Sequence, residues 1–142
     1  MTTIPQSVAW WCFVPGKLTP EQLVHAAAET GYKAVELVPQ EYWSLVKDHG
    51  LGISGIGAHQ PLTVGLNRRD LHDQLADQIK ENIAIAQRVG IPSLICFSAN
   101  RNGLSDEAGA EVTAEGLARV ARDAEIAGVD LALELLNSKV DQ

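Results

Sequence analysis

Four times along this chain a helical pattern runs into a glycine and an apolar run follows within a few residues. Gly31 precedes 34–38, Gly50 precedes 51–58, Gly90 precedes 93–97 and Gly128 precedes 129–136. Glycine just past a helix supplies the left-handed residue that closes the last turn. A strand beginning at once is the short helix-to-strand loop of α/β proteins. The last three of these glycines are 40 and 38 residues apart, a spacing suited to a strand, a helix and two loops. With a first strand at 8–14, the order is β-α-β-α-β-α-β-α-β. Strands 8–14 and 93–98 are apolar with little alternation, as expected of parallel strands covered on both faces.

The helices carry their own signals. Thr19-Pro20-Glu21-Gln22 places a hydroxyl cap, a proline at the first helical position and a capping-box glutamine, opening a helix to about Thr30. A short second helix is predicted over 41–48. Leu71, Leu75, Ile79, Ile83 and Ala86 form an apolar stripe on a third, 70–89. A fourth is predicted as one piece over 106–127, with Val112, Leu117, Val120 and Ala124 inward and Arg122, Asp123 and Glu125 outward.

With 142 residues and 46% apolar side chains the chain has enough material for one domain, expected to span 1–142. Lysine and arginine number 11 against 18 acidic residues, net charge −7, and the basic residues are scattered. Nucleic acid and anionic membrane are poor partners for such a surface. The N-terminal residues lack a signal-peptide pattern, and no apolar run approaches the roughly 20 residues that cross a bilayer; the expectation is a cytoplasmic protein. Cys12 and Cys96, each in a predicted strand and without a paired-cysteine motif, are expected to be buried free thiols.

Length alone favours an open five-stranded sheet, since an eight-stranded barrel needs roughly 250 residues. The turn after strand one, Val14-Pro15-Gly16-Lys17-Leu18-Thr19-Pro20, is however too poor in glycine to cradle a pyrophosphate. Polar residues collect instead at the C-terminal ends of the strands, where barrel enzymes carry their chemistry. They are Glu36, His59, Ser98 with Asn100 and Arg101, and Glu134 with Asn137. Parity puts Ile53, Gly55, Gly57 and His59 on one face of strand three, a face suited to a barrel interior. The expected fold is therefore α/β, half of a (β/α)8 barrel, with four βα units and a fifth strand in one parallel sheet. Glu134, a strand-end carboxylate among leucines, is expensive to desolvate unless a metal or a proton transfer uses it.

The stretches Ala9-Trp10-Trp11-Cys12-Phe13, Gly31-Tyr32-Lys33-Ala34-Val35-Glu36-Leu37, Gly90-Ile91-Pro92 and 127–137, in this order and spacing, resemble the hydroxypyruvate isomerase branch of the xylose-isomerase-like sugar isomerases and epimerases. The resemblance covers nearly the whole chain. It implies that Glu134 binds a divalent metal and takes part in proton transfer. It also implies that His59 and a loop arginine, Arg68 or Arg101, meet the substrate, a small hydroxy-carbonyl compound; Glu36, on strand two, is a further candidate for substrate contact. Interconverting an aldehyde and its neighbouring ketone needs a base, an acid and a cation for the enediolate oxygens; Mg2+ or Mn2+ suits oxygen ligands. The family's further ligands come from strands six to eight, which this sequence lacks. The monomer is thus expected to be inactive, and a homodimer to complete the barrel. A non-catalytic, self-assembling half-barrel scaffold is the alternative.

Each candidate has a plainer reading. Glu134 can pair with Lys139, and His59 can cap strand three through a backbone hydrogen bond. Glu36 can be a packing residue of a barrel interior, and Arg68, Arg69 and Arg101 can be solvated loop charges. Trp10, Trp11 and Phe13 read as core and pocket wall, on alternating faces of one strand.

Overall fold

The structure, a computed structural model, describes residues 4–134; Asn137, Lys139 and the predicted continuation of strand five to 136 lie outside them. The chain divides into two compact units, Met1–Ile56 and Gly57–Gln142.

The first unit runs β1 (Ser7–Ala9), α1 (Pro20–Thr30), β2 (Ala34–Glu36), α2 (Trp43–Asp48) and β3 (Gly52–Ile53). Its strands pair in parallel in the order β1-β2-β3. α1 starts where its cap predicts: Gln22 N–H donates to Thr19 Oγ1 at 3.3 Å, and Thr19 N–H to Gln22 Oε1 at 2.9 Å. It stops at Gly31, φ 90°. Val24, Val35 and Val46 are fully buried, one from each of α1, β2 and α2.

The second unit opens on β4 (Ile56–Gly57), which starts at the boundary residue. It continues through α3 (His72–Val89), β5 (Ser93–Phe97), α4 (Asp106–Ala118), α5 (Ala121–Ala127) and β6 (Asp130–Glu134). The sheet order is β4-β5-β6. β5 and β6 are parallel, in register from Ser93↔Asp130 to Phe97↔Glu134. The core holds Leu66, Ile79, Leu94, Cys96 and Val120, each at most 1% exposed. The α3 stripe is buried from Leu75 to Ala86 and half-buried at Leu71.

Several boundaries differ from expectation for local reasons. The first strand ends at Ala9, because Trp10 O accepts from Phe13 N–H and Val14 N–H, both at 3.0 Å, and folds 10–12 into a 3-10 turn. Trp10, Trp11 and Phe13 therefore do not alternate along a strand. Trp10 is buried and stacked on Tyr42 at 5.0 Å, while Trp11 is 68% exposed. The third strand breaks into β3 and β4 around Ser54-Gly55, in a stretch whose glycines weaken strand structure. Ile53 and Gly57, expected on one strand, therefore belong to two. Helix four is two helices: Val120 leaves helical geometry at φ −122°, ψ −10°, and its side chain is completely buried. Cys12 lies in the 3-10 turn, half-buried, and Cys96 is buried in β5; both are free thiols.

Candidate active site

The second unit builds its polar end from three neighbouring strand ends. α3 lies against β5, and Leu94 and Cys96 are the fully buried residues of that strand. Side chains alternate along a strand, so Ser93, Ile95 and Phe97 point to the opposite face. Register partners in a parallel pair share a face, and Glu134 is the partner of Phe97. On the other side of β5, His59 follows β4 and meets Phe97 twice. Phe97 N–H donates to His59 Nε2 at 3.1 Å, and the two rings lie edge to face at 5.8 Å. Phe97 thus has His59 on one flank and Glu134 on the other.

His59 is 1% exposed. Burial drives its pKa below the ordinary 6.5. Since Nε2 accepts a hydrogen bond, the neutral ring carries its proton on Nδ1. That atom is buried without a hydrogen-bond partner among the described residues. The backbone bond that His59 makes is to β5, the neighbouring strand.

The loop from β4 to α3 closes over the end of β5. Leu66 N–H donates to Phe97 O and Asn67 N–H to Ser98 O, each at 3.0 Å. Asn67 Nδ2 donates to Asn100 O at 2.8 Å. The approach needs a glycine at 65, where a Cβ would stand 2.3 Å from Phe97 O. Nothing in the sequence pattern singles out Asn67 or Gly65, because their roles arise from contacts with residues more than 30 positions away.

The remaining candidates are more dispersed. Arg68 forks onto Asp70 at 3.2 and 3.1 Å. Arg101, exposed, pairs with Asp106 at 2.6 Å, so both arginines already have a carboxylate. Glu36 belongs to the first unit, half-buried at the end of β2, with Ser7 Oγ at 3.5 Å. Glu134 is exposed, as are Ala132 and Leu133 on the same strand. Among the described residues β6 is the last strand of its sheet, and none of them buries the Glu134 carboxylate. Among the described residues no three His, Cys, Asp or Glu side chains gather as a metal site. One exposed carboxylate does not hold Mg2+ or Mn2+ tightly, so the described residues by themselves do not fit the implied ion. No described helix is long and apolar enough to cross a membrane.

The architecture resembles solved structures along nearly the whole chain. An AP endonuclease, family 2, from Brucella melitensis aligns at TM-score 0.71 and 19% identity, over 96% of this chain and 57% of that one. A D-psicose 3-epimerase with D-tagatose from Clostridium cellulolyticum H10 gives 0.70 and 14%, over 94% and 53%. A sugar phosphate isomerase/epimerase from Parabacteroides distasonis gives 0.69 and 16%, over 97% and 58%. The chain therefore spans a little over half the length of these structures. Its fold is α/β with parallel strands, corresponding to roughly half of a TIM barrel. Residues 24–142 match the family described as xylose isomerase-like TIM barrel, and the chain belongs to that family. No curated protein matches its sequence.

Proposed function

We propose that this chain carries the first half of a sugar isomerase site of the hydroxypyruvate isomerase type, acting on a small hydroxy-carbonyl compound. The supporting observation is the placement of His59 and Glu134 on either side of Phe97 at the C-terminal ends of β4–β6, the end where barrel enzymes work. In this reading Glu134 is the carboxylate that exchanges the carbon-bound proton. The proton between the two oxygens passes to a carboxylate, leaving an enediolate, and returns to the neighbouring carbon from an acid outside the described residues. His59 offers a neutral N–H to a substrate oxygen, and Glu36, Arg68 and Arg101 are the remaining candidates for substrate contact. A divalent cation, Mg2+ or Mn2+, would be held by Glu134 together with ligands outside the described residues and would supply Lewis-acid stabilisation of negative charge on oxygen.

The monomer is proposed to be inactive, and a homodimer to supply the missing groups in the cytoplasm. The test combines light scattering across a dilution series with an assay of hydroxypyruvate to tartronate semialdehyde conversion in Mg2+ or Mn2+. Turnover confined to the associated form and lost in Glu134→Gln is expected. Turnover by the monomer that Glu134→Gln abolishes overturns the inactivity of the monomer, and turnover unaffected by Glu134→Gln overturns the site. The exposed β6 edge, with Leu133 38% exposed, also suits a self-assembling scaffold without catalysis. Association with no turnover at any concentration selects that alternative.

A further inference from the structure

Asn67 is buried, 5% exposed, and its side chain leaves Oδ1 buried without a partner among the described residues. An enclosed amide oxygen with no donor is a cost that a leucine of similar size would not carry. What asparagine supplies is its donor, spent on Asn100 O at 2.8 Å. The backbone N–H of the same residue is spent on Ser98 O at 3.0 Å. These two acceptors bracket Ala99, which is 8% exposed and has φ 82°. That left-handed conformation is easy for glycine and strained for alanine. One residue therefore holds the backbone on both sides of the left-handed position.

We propose that Asn67 is a positioning residue that holds Ala99 in its left-handed turn and so fixes Ser98–Arg101 at the C-terminal end of β5. The turn follows Phe97, the residue that orients His59 and is in register with Glu134, and it carries Arg101. Asn67 reaches the candidate site only through this backbone. The functional consequence rests on the isomerase reading; the conformational one does not.

The test is a rescue. Asn67→Leu keeps the bulk and removes the donor, and Ala99→Gly removes the strain that the donor offsets. The readouts, by NMR, are the three-bond amide-to-Hα coupling at residue 99 and the hydrogen exchange of the residue 67 amide. Asn67→Leu is expected to speed that exchange about tenfold, the loss of roughly one hydrogen bond, and to move the coupling at Ala99. Adding Ala99→Gly is expected to restore the slow exchange. A general packing role would leave the variant equally impaired with alanine or glycine at 99, so absence of rescue overturns the proposal. Unchanged exchange and coupling in Asn67→Leu overturn it as well. If Asn67→Leu does not fold, Asn67→Ser in both backgrounds replaces it. In the associated form, KM for hydroxypyruvate is expected to rise in Asn67→Leu more than kcat falls. A form without turnover in any variant, the unsubstituted chain included, sinks the isomerase reading and leaves the clamp to be decided by exchange and coupling.

Discussion

Phe97 donates its backbone N–H to Nε2 of His59 at 3.1 Å, and this bond assigns the imidazole proton to Nδ1. The ring is neutral and buried, accepting at Nε2, with an Nδ1–H that has no partner among the described residues. An imidazole held this way is costly to protonate, because the new proton has to displace the Phe97 bond inside the core.

The sign of the resulting pH dependence follows from the lowered pKa. As pH falls below 6.5 the unfolded chain takes up a proton that the folded chain refuses, so stability decreases until the folded pKa is reached. A one-proton difference sets a ceiling of about 1.4 kcal/mol per pH unit on this slope. Urea denaturation at pH 7 and at a series of lower values is expected to show this loss. In His59→Gln, which keeps an acceptor near the Phe97 amide, the His59 component of the slope is expected to disappear. Equal slopes for both proteins would show that His59 protonates freely in the fold.

Two glycines of α4 are expected to respond in opposite directions to alanine. At Gly116 a Cβ would lie 2.9 Å from both His72 Nε2 and Leu66 Cδ2, and His72 is pinned by its 2.8 Å bond to Leu66 O. Gly116→Ala is expected to destabilise by about 1–3 kcal/mol through overpacking. Gly109 has open space where a Cβ would sit, so Gly109→Ala is expected to stabilise by about 0.5–1 kcal/mol through helix propensity. Thermal melts of the two variants decide it, and a stabilising Gly116→Ala would contradict the packing described around His72.

Gly65→Ala is expected to be the more damaging loop substitution. Its Cβ would collide with a backbone oxygen, Phe97 O, at 2.3 Å, and backbone cannot turn aside as a side chain can. Loss of protection at the Leu66 and Asn67 amides, whose acceptors are Phe97 O and Ser98 O, is the expected result in hydrogen exchange. Retained protection at both amides would mean that the loop does not depend on that close approach.

Burial pushes the Cys96 thiol up to about 11, so little thiolate exists at pH 8. Native protein treated with iodoacetamide is expected to leave Cys96 unmodified by mass spectrometry, and urea to expose it. Rapid native labelling of Cys96 would show that β5 opens readily.

The sequence pattern reached furthest where the controlling interaction is local. The Thr19–Gln22 cap and the stops at Gly31, Gly50, Gly90 and Gly128 depend on neighbours within a few residues, and all four glycines have positive φ. It fell short where distant packing competes with local preference. The turn at Val120 and the 3-10 turn at Trp10 each give up helix or ladder bonds beside a buried side chain, which composition does not reveal. For the site, His59 and Glu134 were legible as polar residues at strand ends. Asn67 was not, because its acceptor Asn100 lies 33 residues away, and the exposure of Glu134 depends on which strands adjoin β6.

The repeated glycine stop also divides labour between the two ends of the strands. Helix α3 gives way to β5 through 90–92 alone, and α5 to β6 through 128–129 alone. Going the other way, β4 reaches α3 through 58–71 and β5 reaches α4 through 98–105. The short junctions have no slack, so a residue inserted beside Gly90 has to rebuild a helix terminus before the next strand can begin. The long ones end in independent starts, such as the Ser105 cap that accepts from Ala108 N–H at 3.2 Å. An engineer wishing to graft new recognition loops onto this scaffold would cut at Asn102-Gly103 and leave every helix-stopping glycine alone.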